Sequence, residues 1–246
     1  MKEWHEGEMF WEVMYPKLFS PMRWEMATQE VEHIITLLDL HPDLSVLDLC
    51  CGPGRHSLEF ARRQYAVTGV DRTERYIAAA RHRAESAQLQ IEFIKDDMRT
   101  FYRSGAFDVV LNLFTSFGYF SDPAADQVVL KNIHTSLKPE GLVIFEMIGK
   151  EILARIYQPR DWFEDQGKLF LEERKPSPDW CRMDNRWIVV DESGRQEVEF
   201  SHRIFSGGEM KLLLLQAGFL SVQIYGNLAG EPYNHQATRL VVVARK

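Results

Sequence analysis

A short apolar strand that runs into a glycine turn constrains this chain more than any other feature. The strand covers Val46 to Leu49, the turn contains Gly52 and Gly54, and a second apolar strand ends at Asp71. Glycines let the backbone turn sharply and approach a ligand closely. A carboxylate at the end of the neighbouring strand can accept hydrogen bonds from both hydroxyls of a ribose. The arrangement therefore predicts a nucleoside site at one edge of a sheet.

Composition restricts the classes of protein that the chain can represent. Its 246 residues are 45% hydrophobic, enough for one sizeable α/β domain with an insertion. The net charge of -7, from 29 basic and 36 acidic residues, argues against a nucleic-acid-binding surface. No apolar run reaches the length of a bilayer span or a leader peptide, and the three cysteines indicate no disulfide framework. We therefore expect a cytoplasmic protein with a small-molecule substrate and no membrane or nucleic-acid contact.

Apolar strands alternate with amphipathic helices through much of the chain. Val31, Ile34, Ile35 and Leu38 share one helical face, so a helix is predicted from Thr28. The other predicted helices are 55–64, 73–87, 123–137 and 206–217, and the predicted strands are 44–49, 66–70, 91–94, 107–113, 142–147, 220–225 and 240–244. This alternation predicts an α/β fold with a Rossmann-like, seven-stranded, mostly parallel sheet and helices on both faces.

Two regions depart from this pattern. Residues 1–27 carry six large aromatic side chains and are predicted to form a lid. Residues 158–205 mix polar and apolar positions and are interrupted by two turn segments, which predicts an inserted antiparallel β-cap on the substrate side. The remaining residues, 28–157 and 206–246, are predicted to form the main domain.

Several segments of the chain are similar to motifs of one enzyme family. The segments are VLDLCCGPGRHS, VTGVD, IEFIKDDMR, FDVVLNLFTSFGYF, LKPEGLVIFE and LLQAGF. Through them the chain resembles the class I S-adenosylmethionine-dependent methyltransferases of the small-molecule type. Cys50 stands where the commonest family pattern has glycine, and we expect the turn to survive because cysteine is small. The resemblance implies S-adenosylmethionine as the cofactor.

The resemblance also implies which residues bind that cofactor. Asp71 would hold the ribose, Asp97 would accept from the adenine amino group, and Met98 would pack against the adenine ring. Asp48 would lie near the methionine part, and Arg55 would meet its carboxylate. The complete predicted set is Asp48, Gly52, Gly54, Arg55, Asp71, Asp97, Met98 and Asn112.

The acceptor is expected on the opposite side of the cleft. The predicted acceptor-binding residues are Arg99, Phe117, Tyr119, Arg174 and Arg203, because guanidinium groups bind carboxylates and phosphates and the loop after the fourth strand lies at the same sheet edge. Tyr119 and His202 are the candidate catalytic residues. The histidines form no cluster with metal-ligand spacing, so no metal is expected. In-line transfer to a nitrogen or oxygen atom then depends mainly on orientation.

Two other functions remain open from the residues alone. Dehydrogenases carry a related glycine turn, so a nicotinamide-dependent oxidoreductase is one alternative. A non-catalytic nucleoside-binding module is the other, because binding residues by themselves do not show turnover. The expected oligomeric state is a monomer or a homodimer.

Overall fold

The main sheet places the ends of its parallel strands along one edge, which is where the predicted nucleoside site lies. The computed structural model of the protein describes residues 3–165 and 167–246. Within these residues the sheet contains β1 (Ser45–Leu49), β2 (Ala66–Asp71), β3 (Glu92–Lys95), β4 (Phe107–Asn112), β5 (Leu137–Met147), β10 (Ser221–Tyr225) and β11 (Leu240–Arg245). The spatial order is β10, β11, β5, β4, β1, β2, β3. All neighbours are parallel except β10 with β11 and β11 with β5.

Helices cover both faces of this sheet. They are a 3₁₀ helix (Trp4–Glu6), α1 (Glu8–Leu18), α2 (Pro21–Leu38), α3 (Arg55–Arg62), α4 (Glu74–Ser86), α5 (Pro123–Ser136), α6 (Lys150–Ile156) and α7 (Gly207–Gln216). In the described part of the chain, no helix is both long enough and apolar enough to cross a membrane. The arrangement confirms the predicted α/β fold class.

The N-terminal region differs from the sequence prediction in one respect. Helix α2 begins at Pro21 and not at Thr28, so its first two turns belong to the segment predicted as a lid. Proline suits the first position of a helix because its φ angle is preset and its missing N–H has no helical partner there. The apolar spacing that marks this helix begins only at Ala27, which is buried. Residues 1 and 2 of the predicted lid lie outside the described residues.

A second sheet forms over the main domain between α6 and α7. It consists of β6 (Arg160–Asp165), β7 (Lys168–Pro176), β8 (Arg182–Asp191) and β9 (Gly194–Arg203), paired antiparallel in sequence order. We call it the cap sheet. Residue 166 of the predicted cap lies outside the described residues. Part of its inner face packs against α1, where Phe10 and Met14 share a cluster with Phe170, Val189 and Val198.

Alternating side chains give the main sheet a core on each face. In β11, Leu240 and Val242 belong to one buried cluster, whereas Val241 and Val243 belong to the cluster on the opposite face. This alternation follows from the two-residue period of a strand.

A third packing contact is the close approach of β2 and β3 at Gly69, where an added Cβ atom would lie 2.6 Å from the Phe93 ring.

We expect Gly69→Ala to lower the free energy of unfolding by about 1–3 kcal/mol, because the new methyl group would overpack the contact with Phe93. Gly208→Ala is the matched control, since the nearest atom to an added Cβ there lies at 4.0 Å. Urea unfolding followed by circular dichroism measures both. Equal stability of the two variants would show that Phe93 moves aside without cost.

Candidate active site

A cavity of about 470 Å³ lies at the carboxyl ends of β1 to β4. That volume is within the range of about 300–1,000 Å³ that is usual for small-molecule sites. Residues that follow each of these four strands line it, and so do residues of α1 and the inner face of the cap sheet. The cavity therefore joins the predicted cofactor side to the predicted acceptor side.

Asp71 links the glycine turn to the end of β2. Its Oδ2 atom accepts a hydrogen bond from the backbone N–H of Gly52 at 2.9 Å, and its Oδ1 atom accepts from the N–H of Thr73 at 2.8 Å. Burial raises the pKa of this carboxyl, and the two N–H donors counter that effect. An ionised carboxylate can accept about four hydrogen bonds, so capacity remains for the two hydroxyls of a ribose. Asp71 lines the cavity, as predicted for the ribose-binding acid.

Asp97 also lines the cavity. Arg99, which was predicted to bind the acceptor, does not line the cavity. The Arg99 guanidinium donates to Asp97, with Nε–Oδ1 at 2.9 Å and Nη2–Oδ2 at 2.7 Å, and its Nη2 also donates to Glu6 at 3.1 Å. Burial alone would raise the pKa of Asp97, but the hydrogen bonds from Arg99 lower it overall. The prediction that Arg99 binds the acceptor is therefore corrected, since its charge is committed to an internal ion pair. Met98 lines the cavity beside Asp97.

The other end of the cofactor side contains Asp48 and Arg55. Asp48 lines the cavity and accepts a hydrogen bond from Ser57 Oγ at 2.5 Å. Arg55 also lines the cavity, but its guanidinium donates to Glu30 at 3.0 Å and to the Arg23 carbonyl at 2.8 Å. The Arg55 guanidinium is thus already paired with the half-buried Glu30, and its predicted contact with a cofactor carboxylate stays a prediction.

Arg23 is a cavity residue that the sequence did not reveal. Its guanidinium lies 4.6 Å from the centre of the Phe114 ring, and it forms no salt bridge with any described residue. Burial lowers its pKa, and the nearby charge of Arg55 adds to that effect. A cation without a protein partner at this end of the cavity fits the carboxylate of a bound methionine moiety. The only signal in the sequence that could have indicated a role for Arg23 is its position in the first turn of a helix.

Two predicted cofactor residues, Gly54 and Asn112, do not line the cavity. An added Cβ at Gly54 would lie 3.1 Å from both Ala80 on α4 and Phe93 on β3. This glycine therefore allows the start of α3 to pack closely against these two elements. Asn112 is buried and its Nδ2 donates to the Leu49 carbonyl at 3.3 Å. Neither residue lines the cavity, so direct contact of Gly54 or Asn112 with the cofactor stays a prediction.

Phe117 and Arg203 likewise differ from their predicted place at the acceptor. Phe117 is 1% exposed, and its ring centre lies 5.3 Å from those of Phe145 and Phe205, so it is a core residue. Arg203 Nε donates to the buried Asp126 carboxylate at 2.8 Å. Its role is to hold the end of β9 against α5. Sequence spacing does not reveal such long-range partners.

Tyr119, Arg174 and His202 do line the cavity. Arg174 on β7 and His202 on β9 lie on the inner face of the cap sheet. These two strands flank β8, where Arg174 pairs with Asn185 and His202 pairs with Met183. Burial lowers the pKa of His202 to about 4, so its imidazole is neutral at neutral pH. Burial raises the pKa of Tyr119, so its phenol stays protonated.

The aromatic N-terminal segment closes the side of the cavity between the two sheets. Trp4 Nε1 donates to the Ser201 carbonyl on β9 at 2.7 Å, and Tyr76 donates from α4 to the Trp11 carbonyl at 2.7 Å. The segment therefore contacts both the cap sheet and the main domain. Among residues 3–165 and 167–246, no group of three or more His, Cys, Asp or Glu side chains could hold a metal ion.

Sequence comparisons agree with this geometry. A family model described as a methyltransferase domain matches residues 46–141. YqeM of Bacillus subtilis (strain 168), a provisionally named methyltransferase, is 29% identical over 240 residues, which cover 95% of this chain and 94% of YqeM. The chain belongs to the class I S-adenosylmethionine-dependent methyltransferases. Its cofactor is S-adenosylmethionine.

Solved structures show the same fold in other methyltransferases. The CcbJ methyltransferase from Streptomyces caelestis superposes with a TM-score of 0.78 at 17% identity, over 89% of each chain. CalS10, an amino pentose methyltransferase from Micromonospora echinaspora, superposes with a TM-score of 0.67 at 23% identity, over 96% of this chain and 97% of its own. Membership of the methyltransferase family decides against the nicotinamide-dependent oxidoreductase and the non-catalytic module.

Asp71→Asn should weaken the binding of S-adenosylhomocysteine by about 1.5–3 kcal/mol, because charge-assisted hydrogen bonds in a cleft are the strong ones. Isothermal titration calorimetry measures the affinity. Glu74→Gln, a change to an exposed side chain of α4, is the matched control. Full affinity in a folded Asp71→Asn variant would exclude Asp71 as the ribose-binding acid.

Arg203→Met should destabilise the protein by about 3 kcal/mol, because it leaves the Asp126 charge buried without its partner. The affinity for S-adenosylhomocysteine should stay at the wild-type value. Chemical unfolding and calorimetry provide the two measurements. Normal stability combined with lost cofactor affinity would contradict the structural role assigned to Arg203.

Proposed function

We propose that this methyltransferase transfers the methyl group to a nitrogen or oxygen atom of a small molecule that binds against the inner face of the cap sheet. One observation carries the proposal. Asp71 and Met98 line the same cavity as Arg174 and His202. A molecule held on the cap side therefore shares one cavity with the predicted cofactor-binding residues.

The size and walls of the cavity favour a small acceptor. At about 470 Å³ it has to hold the reacting part of the cofactor as well as the acceptor. The acceptor side combines aromatic rings, such as Trp11, Trp187 and Phe200, with the imidazole of His202. Arg174 also lines it, with its guanidinium paired to the buried carboxylate of Glu172. CalS10, by its name, methylates an amino pentose, which carries both nitrogen and oxygen atoms. An acceptor of that size and polarity suits these walls.

Orientation and exclusion of water are the contributions expected from the protein. When bound, S-adenosylmethionine supplies an electrophilic methyl carbon next to a sulfonium. The N-terminal segment and the cap sheet form part of the cavity wall and so reduce the access of water. Fixed polar groups on the cap face hold the acceptor in one orientation, and orientation alone can supply much of the rate of such a transfer.

Tyr119 and His202 are suited to hold the acceptor by hydrogen bonds. Asn185 Nδ2 donates to the Met183 carbonyl at 3.0 Å and lies 3.4 Å from His202 Nδ1. This amide favours a lone pair on Nδ1 and therefore a proton on Nε2 of the neutral ring. The protonated Tyr119 phenol is also a donor. Both side chains can thus donate to a lone pair of the acceptor, and we propose them as residues that position it.

A screen with S-adenosylmethionine labelled in its methyl group tests the function. Pools of small amines, phenols and hydroxylated compounds are incubated with the protein, and mass spectrometry identifies the product that gains one CH₂ unit. We expect label in a small molecule. Label found only in protein or nucleic acid, with none in small molecules, would contradict the proposal.

With the acceptor identified, His202→Phe should lower kcat/KM by about 10- to 100-fold, because the acceptor loses a donor that orients it. The affinity for S-adenosylhomocysteine should not change. Arg186→Met is the matched control, since Arg186 lies on β8 outside the cavity and pairs with Glu173 and Glu197. Unchanged kinetics in His202→Phe would remove His202 from the acceptor site.

A further inference from the structure

The N-terminal 3₁₀ helix is held beside the adenine end of the cofactor site. Arg72 Nη1 donates to the backbone carbonyl of His5 at 2.9 Å. Arg99 Nη2 donates to Glu6 at 3.1 Å and to Asp97 at 2.7 Å, so one guanidinium joins the helix to the adenine-side acid. Burial is the main cause that lowers the pKa of His5, and the charges of Glu3, Arg99, Arg72 and Asp97 also act on it, as expected for close neighbours. His5 is thus a neighbour of the adenine-binding residues.

His5 is a buried polar side chain with unused hydrogen-bonding capacity. It is 4% exposed and lines the cavity. Neither ring nitrogen forms a hydrogen bond with any residue that the structure describes, although Nδ1 lies 3.3 Å from the Glu3 carboxylate; nothing described lies within hydrogen-bonding reach of Nε2. Its ring packs against the edges of Trp4 and Phe120. Buried polar groups are nearly always hydrogen-bonded, so an unpaired one in a ligand cavity indicates a partner supplied by the ligand.

The surroundings of His5 determine which nitrogen is available. Burial lowers its pKa, so the ring is neutral and one nitrogen keeps a lone pair. The carboxylate of Glu3 lies 3.3 Å from Nδ1 and favours the proton there. Glu3 is itself held by Ser121, whose hydroxyl donates to it at 2.5 Å. The negative charge beside Nδ1 therefore favours the tautomer that has its lone pair on Nε2.

We propose that His5 Nε2 accepts a hydrogen bond from the exocyclic amino group of the cofactor's adenine. Asp97 was predicted to accept from that group, but its carboxylate already accepts from the side chain and the backbone N–H of Arg99. His5 supplies a second acceptor at the same end of the cavity. The N-terminal segment then recognises the base of the cofactor in addition to covering it. This inference does not depend on the acceptor, so it can fail while the proposed methyl transfer stands, and the reverse also holds.

Two ligands that differ at the amino group provide the test. S-adenosylhomocysteine carries the amino group, whereas S-inosylhomocysteine carries a carbonyl oxygen that cannot donate. Calorimetry gives the affinity ratio of the two ligands for the wild-type protein, His5→Phe, His5→Gln and His41→Phe. His41 is exposed and outside the cavity, so its variant is the matched control.

We expect wild type and His41→Phe to share one ratio in favour of S-adenosylhomocysteine. His5→Phe should reduce that ratio about three- to tenfold, the effect of one hydrogen bond, and His5→Gln should restore part of it through its amide oxygen. An unchanged ratio in His5→Phe would overturn the proposal. Equal weakening of both ligands would overturn it as well, because it would show that His5 only packs.

A measurement on the wild-type protein keeps the test independent of the folding of variants. In protein labelled with ¹⁵N-histidine, the Nε2 resonance of His5 should shift when S-adenosylhomocysteine binds, because the lone pair becomes a hydrogen-bond acceptor. S-inosylhomocysteine should not produce the same shift. Identical shifts with both ligands would show that Nε2 does not contact the amino group.

Discussion

The hydrogen bonds that Asp71 accepts from Gly52 and Thr73 hold together the part of the structure on which the cofactor site depends. The bond from Gly52 connects the turn after β1 to the end of β2, and the bond from Thr73 fixes the residues that follow β2. The turn contains Cys50 at φ 69° and Gly52 at φ 56°, both in the left-handed region. That conformation costs a residue with a side chain about 1–2 kcal/mol, so Cys50 is strained where glycine would not be. The carboxylate of Asp71, at the end of the neighbouring strand β2, stabilises this conformation of the turn.

Charge compensation explains why many arginines near the cavity are not ligands. Arg99 is committed to Asp97, Arg55 to Glu30 and Arg203 to Asp126. An unpaired charge in a buried position is costly, so each of these three guanidinium groups is held by a carboxylate. Arg23 departs from this pattern among the described residues, and for that reason it is the best candidate for a ligand carboxylate. The relevant property of an arginine here is whether it has a protein partner.

The cap sheet and the N-terminal segment add walls to the cavity at the sheet edge. The segment contacts the cap through Trp4 and the main domain through the bond from Tyr76 to Trp11. A Rossmann-like sheet by itself offers a crevice that water can reach. Methyl transfer benefits from exclusion of water and from a fixed approach of the acceptor. Both additions therefore serve the chemistry that the sheet alone positions.

Local patterns in the sequence determined the α/β class, the separate antiparallel sheet, the glycine turn and the acid Asp71, because strand and helix periods and turn residues act over a few positions. The fates of other residues were decided by tertiary structure. Arg99 reaches Glu6 across 93 positions, and Arg203 reaches Asp126 across 77. Sequence spacing carries no record of such partners. The burial of His5 in the cavity has the same cause, since only the folded chain brings a terminal helix to the end of the third strand.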